Sequence, residues 1–209
     1  MLTRRLPAVR AFTRLNRLDR VTHAAPKRRL GIVTTGKSWL DVREALKNLG
    51  IDDAQRADVG LEIFKVAMVW PLEPTAIRDF AAGLDEVLIV EECRPILEPQ
   101  IKDALYDLPE ARRPRLLGKR DRDGREWFPS HGELDPDVIA RVLADWLRPI
   151  HATDAMRGWI AFLDRTRAAL AEPHADVIRP PYFCSGCPHN TSTRVPEGSK
   201  QLAGLGCHW

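Results

Sequence analysis

The sequence predicts an α/β domain with a parallel sheet at its core. Three short apolar segments, at residues 30–34, 62–70 and 87–90, alternate with segments whose apolar residues recur at helical spacing. The segment Val87-Leu88-Ile89-Val90 is apolar throughout, as expected for a parallel strand that is covered on both faces. Strands that alternate with helices at this spacing are typical of βαβ units.

The first half of the domain follows a regular order. Leu30 to Thr34 is predicted as a buried strand, Gly36 as the turn after it and Ser38 as the cap of the next helix. That helix has inward residues at Trp39, Val42, Leu46 and Leu49 and ends at Gly50. A second strand is predicted from Glu62 to Trp70, where Pro71 ends it, and a helix follows from 73–75 to Leu84.

The second half contains further helices. Pro95 leads a helix through Leu105, residues 115–118 form a final strand and residues 121–125 form a turn. Asp135 caps a helix that runs through Trp146, and another helix covers residues 154–170. The predicted organisation is therefore a basic connecting segment at 1–29, an α/β domain at 30–120, a turn and helical connector at 121–179, and a cysteine segment at 180–209.

Charge and hydropathy exclude several classes of protein. The 32 basic and 29 acidic residues nearly balance, so we expect neither nucleic acid nor a membrane as a partner. No apolar run approaches the roughly 18 residues of a membrane span, and no signal peptide is visible, so we expect a cytoplasmic protein whose cysteines are thiols or ligands. The basic excess lies in residues 1–29, where Asp19 is the one acid. A transit peptide or a connecting segment fits this composition, and the scarcity of serine favours the connecting segment.

Residues 31–38 formally match the phosphate-loop pattern GxxxxGK[ST], with Gly36, Lys37 and Ser38 as its last members. A phosphate loop must follow a strand so that its backbone N–H groups face a phosphate. Here the first glycine lies inside the apolar run, which favours a strand, a turn and a helix start. An ATP-binding module remains an alternative, and Lys37 at the helix start can still face an anion.

Glu91 and Glu92 follow the strand at 87–90. Open α/β sheets place ligands at the carboxyl ends of their strands, but any chain also leaves the sheet there. A ligand role and a solvent-exposed turn are both compatible with this position.

Three of the four cysteines lie near the end of the sequence, at Cys184, Cys187 and Cys207. A CxxC spacing lets one turn aim two sulfurs at one centre, and Gly186 and Pro188 suit such a turn. Three thiolates fit an iron–sulfur cluster that needs one more ligand, or a zinc site completed by His189 or His208. Three inert thiols are the alternative, and Cys93 is expected to be a small packed residue.

These motifs resemble the long, fused bacterial form of indolepyruvate ferredoxin oxidoreductase. The segments Phe183–Thr193 and Gly204–His208 resemble the start of its thiamine-diphosphate domain. The preceding part resembles its domain that is similar to the transketolase C-terminal domain. The segments that carry this second resemblance are Gly31–Ser38, Val69–Pro74, Glu91-Glu92, Gln100–Lys102 and Gly118–Arg120.

The resemblance implies a fold, a reaction and its cofactors. The fold would be a transketolase C-terminal-like α/β domain, then helices, then the truncated start of a thiamine-diphosphate-binding domain. In the family, an aryl pyruvate is decarboxylated on thiamine diphosphate held with magnesium, electrons pass through iron–sulfur clusters to ferredoxin, and coenzyme A takes the acyl group. Cys184, Cys187 and Cys207 would then be ligands of a four-iron cluster, with His189, Gly204 and Gly206 near the thiamine.

The departures from the family predict an internal fragment. No Gly-Asp-Gly motif for magnesium and diphosphate occurs, and Cys93 is the one remaining candidate for a fourth cluster ligand. We therefore expect the chain to be inactive alone, to bind no cofactor by itself and to need the remaining parts of the enzyme. We assign no catalytic residue. The alternatives are the ATP-binding module and a metal-binding assembly module centred on the cysteines.

Overall fold

In this computed structural model, residues 2–171 and 182–200 are described, and the chain divides into two compact units, Met1–Thr166 and Arg167–Trp209. The strands are β1 (Arg20–His23), β2 (Leu30–Thr35), β3 (Leu61–Val66), β4 (Glu86–Val90) and β5 (Arg115–Leu117). The helices are α1 (Arg5–Leu15), α2 (Ser38–Asn48), α3 (Asp53–Val59), α4 (Pro74–Ala81), α5 (Leu97–Tyr106), α6 (Pro136–Leu147), α7 (Asp154–Ala171) and α8 (His189–Ser192). A short 3₁₀ turn covers Glu110–Arg112.

The five strands form one sheet in the order β1-β3-β2-β4-β5. Strands β3, β2, β4 and β5 are parallel, and β1 pairs with β3 in the antiparallel direction. This confirms the predicted fold class, an α/β domain with a parallel-sheet core followed by helices.

Both faces of the sheet are buried. Successive residues of a strand point to opposite faces, so neighbouring residues enter different cores. Ile32 of β2 and Leu88 of β4 lie in a core formed with α2, α6 and Met156 of α7. Val33 and Ile89 lie in a second core, formed with α4 and α5. Residues 87–90 of β4 are all apolar because both faces of the sheet are buried.

The connections that follow the adjacent strands β2 and β4 run in opposite directions across the sheet. The chain passes from β2 through α2 and α3 to β3, then crosses through α4 to β4 and through α5 to β5. The carboxyl ends of β2 and β4 therefore meet at the point where the strand order reverses. Doubly wound sheets place ligands at this position, which is why the residues after these two strands are candidates for a site.

Residues 20–29, predicted as part of a connecting segment, contribute β1 to the sheet. The buried carboxylate of Glu62 accepts hydrogen bonds from the backbone N–H of Ala25 at 3.1 Å and from Nε of Arg28 at 2.8 Å. Arg56, also buried, donates to the carbonyl oxygen of Ala24. These contacts attach the segment to the body of the domain.

Three local features differ from the sequence expectations. β3 ends at Val66 because Oδ1 of Asp19 accepts the N–H groups of Ala67 and Met68, which would otherwise continue the ladder. α3 was not predicted, although Asp52 and Gln55 form a capping box at its start. Ser38 does not cap α2, because it is the first helical residue and is buried, while Lys37 occupies the cap position.

Helix α6 is fixed to the edge of the sheet by a polar contact inside the core. The indole Nε1 of Trp146 donates to Oε2 of Glu86 at 2.7 Å, and Arg122 donates to both oxygens of the same carboxylate. Asp135 caps α6, as predicted, by accepting the N–H groups of Asp137 and Val138. Among the residues described, no helix has the length and apolar character that crossing a membrane requires.

Candidate functional site

The glycine-rich stretch at residues 31–38 is built into the sheet. Gly31 lies inside β2, and an added Cβ would come within 2.7 Å of Leu84 and 2.8 Å of Phe80. The absence of a side chain at Gly31 therefore serves helix packing against the strand. Gly36, with φ +51°, makes the turn after β2. A phosphate loop needs its first glycine outside the strand, so this arrangement does not provide the backbone cradle.

Lys37 faces anionic groups that belong to the protein itself. Its Nζ lies 3.0 Å from Oδ2 of Asp41, 3.2 Å from Oε1 of Glu133 and 2.9 Å from the carbonyl oxygen of Leu134. The hydrogen bond to Asp41 raises the pKa of Lys37, with Glu133 acting in the same direction. The anion expected at the start of α2 is thus supplied by carboxylates of the chain.

Glu91 and Glu92, which end at the same edge of the sheet, support neighbouring segments. Glu91 is buried, and its carboxylate accepts the N–H groups of Ile96, Leu97 and Glu98 at 2.8 to 2.9 Å, which fixes the start of α5. Oε1 of Glu92 accepts the N–H of Leu134 at 3.1 Å. Both side chains therefore have structural partners at the position where a ligand role was one possibility.

Lys119 is a buried lysine at this edge that sequence reasoning did not single out. Its Nζ donates to the carbonyl oxygens of Glu91 at 2.7 Å and Pro129 at 3.0 Å. Burial lowers the pKa of Lys119, against the attraction of Glu91 and other nearby acids. The ammonium group ties the end of β4 to the loop that precedes α6.

The expectation that Cys93 is a small packed residue is wrong. Cys93 is exposed and has φ +57°, a conformation that favours glycine. Its Sγ lies 3.6 Å from the carbonyl oxygen of Gly132. The buried residue Glu91 and its three bonds to α5 force the chain to turn sharply at this point, which leaves the thiol on the surface.

The CxxC motif forms the predicted turn. The N–H of Cys187 donates to the carbonyl oxygen of Cys184 at 3.0 Å, and Gly186 has φ +78°. The amide of Asn190 donates to the same carbonyl of Cys184 at 3.1 Å. The turn therefore has two bonds that hold its shape while Cys184 remains exposed and Cys187 partly exposed.

His189 lies against this turn at the start of the short helix α8. Its Nδ1 is 3.3 Å from Sγ of Cys187, and its ring stacks on Phe183 with centroids 5.4 Å apart. An imidazole N–H at this distance can donate to a sulfur ligand, a contact that orients metal-bound cysteines. The structure thus places His189 beside Cys187, and the roles of Cys184, Cys187 and His189 as ligands or cofactor contacts stay predictions.

The remaining predicted site residues, Gly204, Gly206 and Cys207, lie outside the described residues. Within the two described ranges, no group of three or more His, Cys, Asp or Glu side chains could hold a metal ion. Cys184 and Cys187 supply two thiol donors in one turn, which fits part of the ligand set of a four-iron cluster.

A groove between α6 and α7 was not anticipated from the sequence. It has a volume of about 470 Å³, with Ala144, Met156 and Ile160 among its apolar lining residues. Arg141 pairs across it with Asp164 at 2.6 Å, and Arg148 pairs with Asp145 on the same helix. Each of these arginines already has an acidic partner, so the groove has no strong preference for an anion.

Comparison with known proteins shows which family this chain matches. Residues 20–170 match the family described as "Indolepyruvate oxidoreductase domain", and that range begins with β1 and ends in α7. Three similar proteins are named "Indolepyruvate oxidoreductase subunit IorA". They come from Pyrococcus horikoshii (37% identity, 86% of this chain and 25% of the relative), Methanothermobacter thermautotrophicus (30%, 82% and 23%) and Thermococcus kodakarensis (28%, 86% and 25%). The chain thus spans about a quarter of the length of these relatives.

Among solved structures, the chain is similar to 2-oxoglutarate:ferredoxin oxidoreductase from Magnetococcus marinus. The two share 17% identity with a TM-score of 0.42, over 64% of this chain and 21% of the other, a similarity too low to inform the site. The match over residues 20–170 covers most of the sequence and includes every strand of the sheet. The chain therefore belongs to the indolepyruvate oxidoreductase family.

Proposed function

We propose that this chain provides a domain of an indolepyruvate:ferredoxin oxidoreductase. The enzyme would oxidatively decarboxylate aryl pyruvates in the cytoplasm, transfer the acyl group to coenzyme A and pass the electrons to ferredoxin. The family match over residues 20–170 is the observation that carries the proposal. The cysteine turn supports it independently, because that turn presents two thiols of the kind that bind an iron–sulfur cluster.

The described cysteines have a defined role in this proposal. Cys184 and Cys187, with Cys207 as a third ligand, hold part of a four-iron cluster, which transfers single electrons when it is bound. The turn from Cys184 to Cys187 brings the two backbones together, and the Nδ1 of His189 would orient the sulfur of Cys187. By the family resemblance, His189, Gly204 and Gly206 would contribute to binding the thiamine.

The chain acts in this proposal only with the other parts of the enzyme. The matched part of this chain spans only about a quarter of the length of the curated relatives, and no Gly-Asp-Gly motif for magnesium and diphosphate occurs in it. Thiamine diphosphate, ferredoxin and coenzyme A would then meet this domain in the assembled enzyme. By itself the chain would bind none of them in a productive manner.

An anaerobic assay of the purified chain tests the requirement for other parts. The assay contains indolepyruvate, coenzyme A, thiamine diphosphate, magnesium and ferredoxin, and we expect no reduction of ferredoxin. Turnover by the chain alone would contradict the proposal. Metal analysis after anaerobic purification separates the alternatives, because retained zinc would instead favour a metal-binding assembly module.

A domain exchange tests the family function directly. Residues 20–170 replace the matching region in IorA from Thermococcus kodakarensis, and the chimera is assayed with its natural partner subunits. We expect activity above that of the relative with the region deleted. A chimera that assembles but reduces no ferredoxin would oppose the assigned role, and assembly is checked by size-exclusion chromatography with light scattering.

A further inference from the structure

Helix α1 has two apolar faces, and one of them is exposed. Its inner face contains Leu6, Val9 and the buried Thr13, which pack toward the domain. Its outer face carries Ala8, Phe12 and Leu15 at the i, i+4, i+7 spacing of one helix stripe. Phe12 is 57% exposed and Leu15 is 80% exposed. An ordinary surface helix needs only one apolar face, so the outer stripe requires a separate explanation.

The outer stripe lies within a strongly basic surface. Arg4, Arg5, Arg10 and Arg17 are exposed and form no ion pair with any residue that the structure describes. No acidic residue occurs between residues 1 and 18, and Asp19, which follows, is buried. The charge of the whole chain is only +3, so the imbalance is concentrated here.

Contacts at its carboxyl-terminal half fix α1 to the domain. Nη1 of Arg14 lies 3.4 Å from Oε1 of the buried Glu73, which starts α4. Asp19, just after the helix, accepts the N–H groups of Ala67 and Met68. The exposed stripe is therefore presented in a fixed orientation, which reduces the entropic cost of binding a partner.

We propose that α1 is the docking surface for a protein that presents an acidic amphipathic helix. Alanine at position 8 allows a second helix to approach closely, and Phe12 and Leu15 provide side chains that insert between its residues. The surrounding arginines require carboxylates on the partner. A second copy of this chain is a poor occupant, because the same arginines would repel each other across the contact.

The outer apolar stripe favours an acidic protein over nucleic acid or an anionic membrane as the partner. Nucleic acids are bound chiefly through phosphate contacts and do not require exposed Phe12 and Leu15. An anionic membrane would use both charge and apolar groups, but the apolar stripe is narrow, and one of its three residues is the small Ala8. Protein interfaces are enriched in the aromatic and arginine side chains that occur together here.

The probe for this surface is a synthetic acidic helix of about 20 residues, with a leucine stripe flanked by glutamates. Its control is the same peptide with lysine in place of each glutamate. Fluorescence anisotropy with the full chain should show binding of the acidic peptide, weakened as salt is added. The lysine peptide should not bind. No enzymatic activity is measured, so the result does not depend on the proposed function.

Two variants separate charge from apolar contact. We expect Phe12→Ser with Leu15→Ser, and Arg10→Glu with Arg17→Glu, each to weaken binding of the acidic peptide about tenfold or more. The matched controls are Phe162→Ser and Arg165→Glu on α7, which should leave binding unchanged. Circular dichroism verifies that each variant is folded. If the double variants lose α1, Ala8→Asp is substituted, since Ala8 is exposed and its change adds a negative charge to the stripe.

Other outcomes would overturn the proposal. Binding that falls only with the arginine variants would identify a nonspecific anion surface. Tighter binding to vesicles of phosphatidylcholine and phosphatidylglycerol would assign α1 to a membrane, and tighter binding to a single-stranded oligonucleotide would assign it to nucleic acid. Failure of the acidic peptide to bind would also refute it.

Discussion

The carboxyl end of the parallel sheet and the cysteine turn both carry residues of the kind found in functional sites, but their side chains are used differently. At the sheet edge, Glu91 is buried and accepts three backbone N–H groups, while Lys37 contacts two carboxylates of the protein. In the turn, Cys184 is exposed, and backbone and amide groups maintain the shape around it. Charged residues at the carboxyl ends of the strands can therefore have all their bonds within the protein. The thiols of the turn remain accessible and are available for a ligand.

The largest effect is expected at Glu91. Replacement by alanine leaves the N–H groups of Ile96, Leu97 and Glu98 without their acceptor, in part away from water. We expect Glu91→Ala to lower the free energy of unfolding by about 3 kcal/mol. Urea unfolding followed by circular dichroism measures the change.

The control for Glu91 is Glu44→Ala on α2, whose side chain is about half exposed and pairs with Lys47. Its effect should stay within about 0.5 kcal/mol. If Glu91→Ala were as stable as the wild type, the carboxylate would not be a structural cap. A ligand role at the sheet edge would then have to be reconsidered.

The variant Gly31→Ala tests whether Gly31 serves helix packing or phosphate binding. A Cβ at this position would come closer than 3.0 Å to Leu84 and Phe80, so Gly31→Ala should cost about 1 to 3 kcal/mol of unfolding free energy. Gly158→Ala is the matched control, because nothing lies within 4 Å of its Cβ position and alanine favours the helix by up to about 1 kcal/mol. Thermal or urea unfolding should therefore shift in opposite directions for the two variants.

Calorimetry with Mg-ATP tests whether residues 31–38 bind a nucleotide. The wild-type chain should show no binding, since Gly31 is inside β2 and Lys37 is already paired. Micromolar binding that disappears in Lys37→Ala would contradict this expectation and restore the ATP-binding alternative.

Glu86 gives a pH-dependent test within the same domain. Burial alone would raise the pKa of Glu86, but hydrogen bonds from Arg122 and Trp146 outweigh it, and the pKa lies below the usual value. The folded state therefore binds fewer protons than the unfolded state at acidic pH. The resulting stability is present above the unfolded pKa and is lost as the pH falls through the folded pKa.

The variant Glu86→Gln should remove most of this pH dependence. At neutral pH we expect a loss of about 1 to 2 kcal/mol, because charged hydrogen bonds to Arg122 and Trp146 become neutral or are lost. The difference from the wild type should shrink as urea unfolding is repeated toward acidic pH. Glu110→Gln, at an exposed position, should show no such trend; a constant difference at all pH values would instead indicate a purely steric effect.

The sequence predicted the parts of the fold that depend on local periodicity. The apolar run of β4, the inward positions of α2 and the extent of α6 were identified because burial on a strand or helix leaves a regular pattern. β1 was missed because Val21 is the one apolar residue among its four, and its place depends on pairing with β3 and on Glu62. α3 was missed despite the capping box at Asp52, a signal that was available.

The candidate site was predictable to a smaller extent, for a physical reason. The CxxC spacing specifies a turn through neighbouring residues, and that turn is present. The role of Lys119 depends on its bond to Glu91, 28 positions earlier, and the role of Glu91 depends on its depth of burial; spacing encodes neither. The same limit explains the wrong expectation for Cys93, whose exposure follows from how its neighbours are bonded.

The smallest effect on stability is expected at the cysteine turn. Cys184→Ser and Cys187→Ser should each change the free energy of unfolding by less than about 0.5 kcal/mol, because neither side chain is buried and the turn is held by the backbone and Asn190. Urea unfolding of the isolated chain measures this. In the assembled enzyme, both substitutions should reduce iron and acid-labile sulfide content, while Ser185→Ala in the same turn should not. If either substitution lowered the free energy of unfolding of the isolated chain by more than about 1 kcal/mol, the cysteines would stabilise the fold, as Glu91 does.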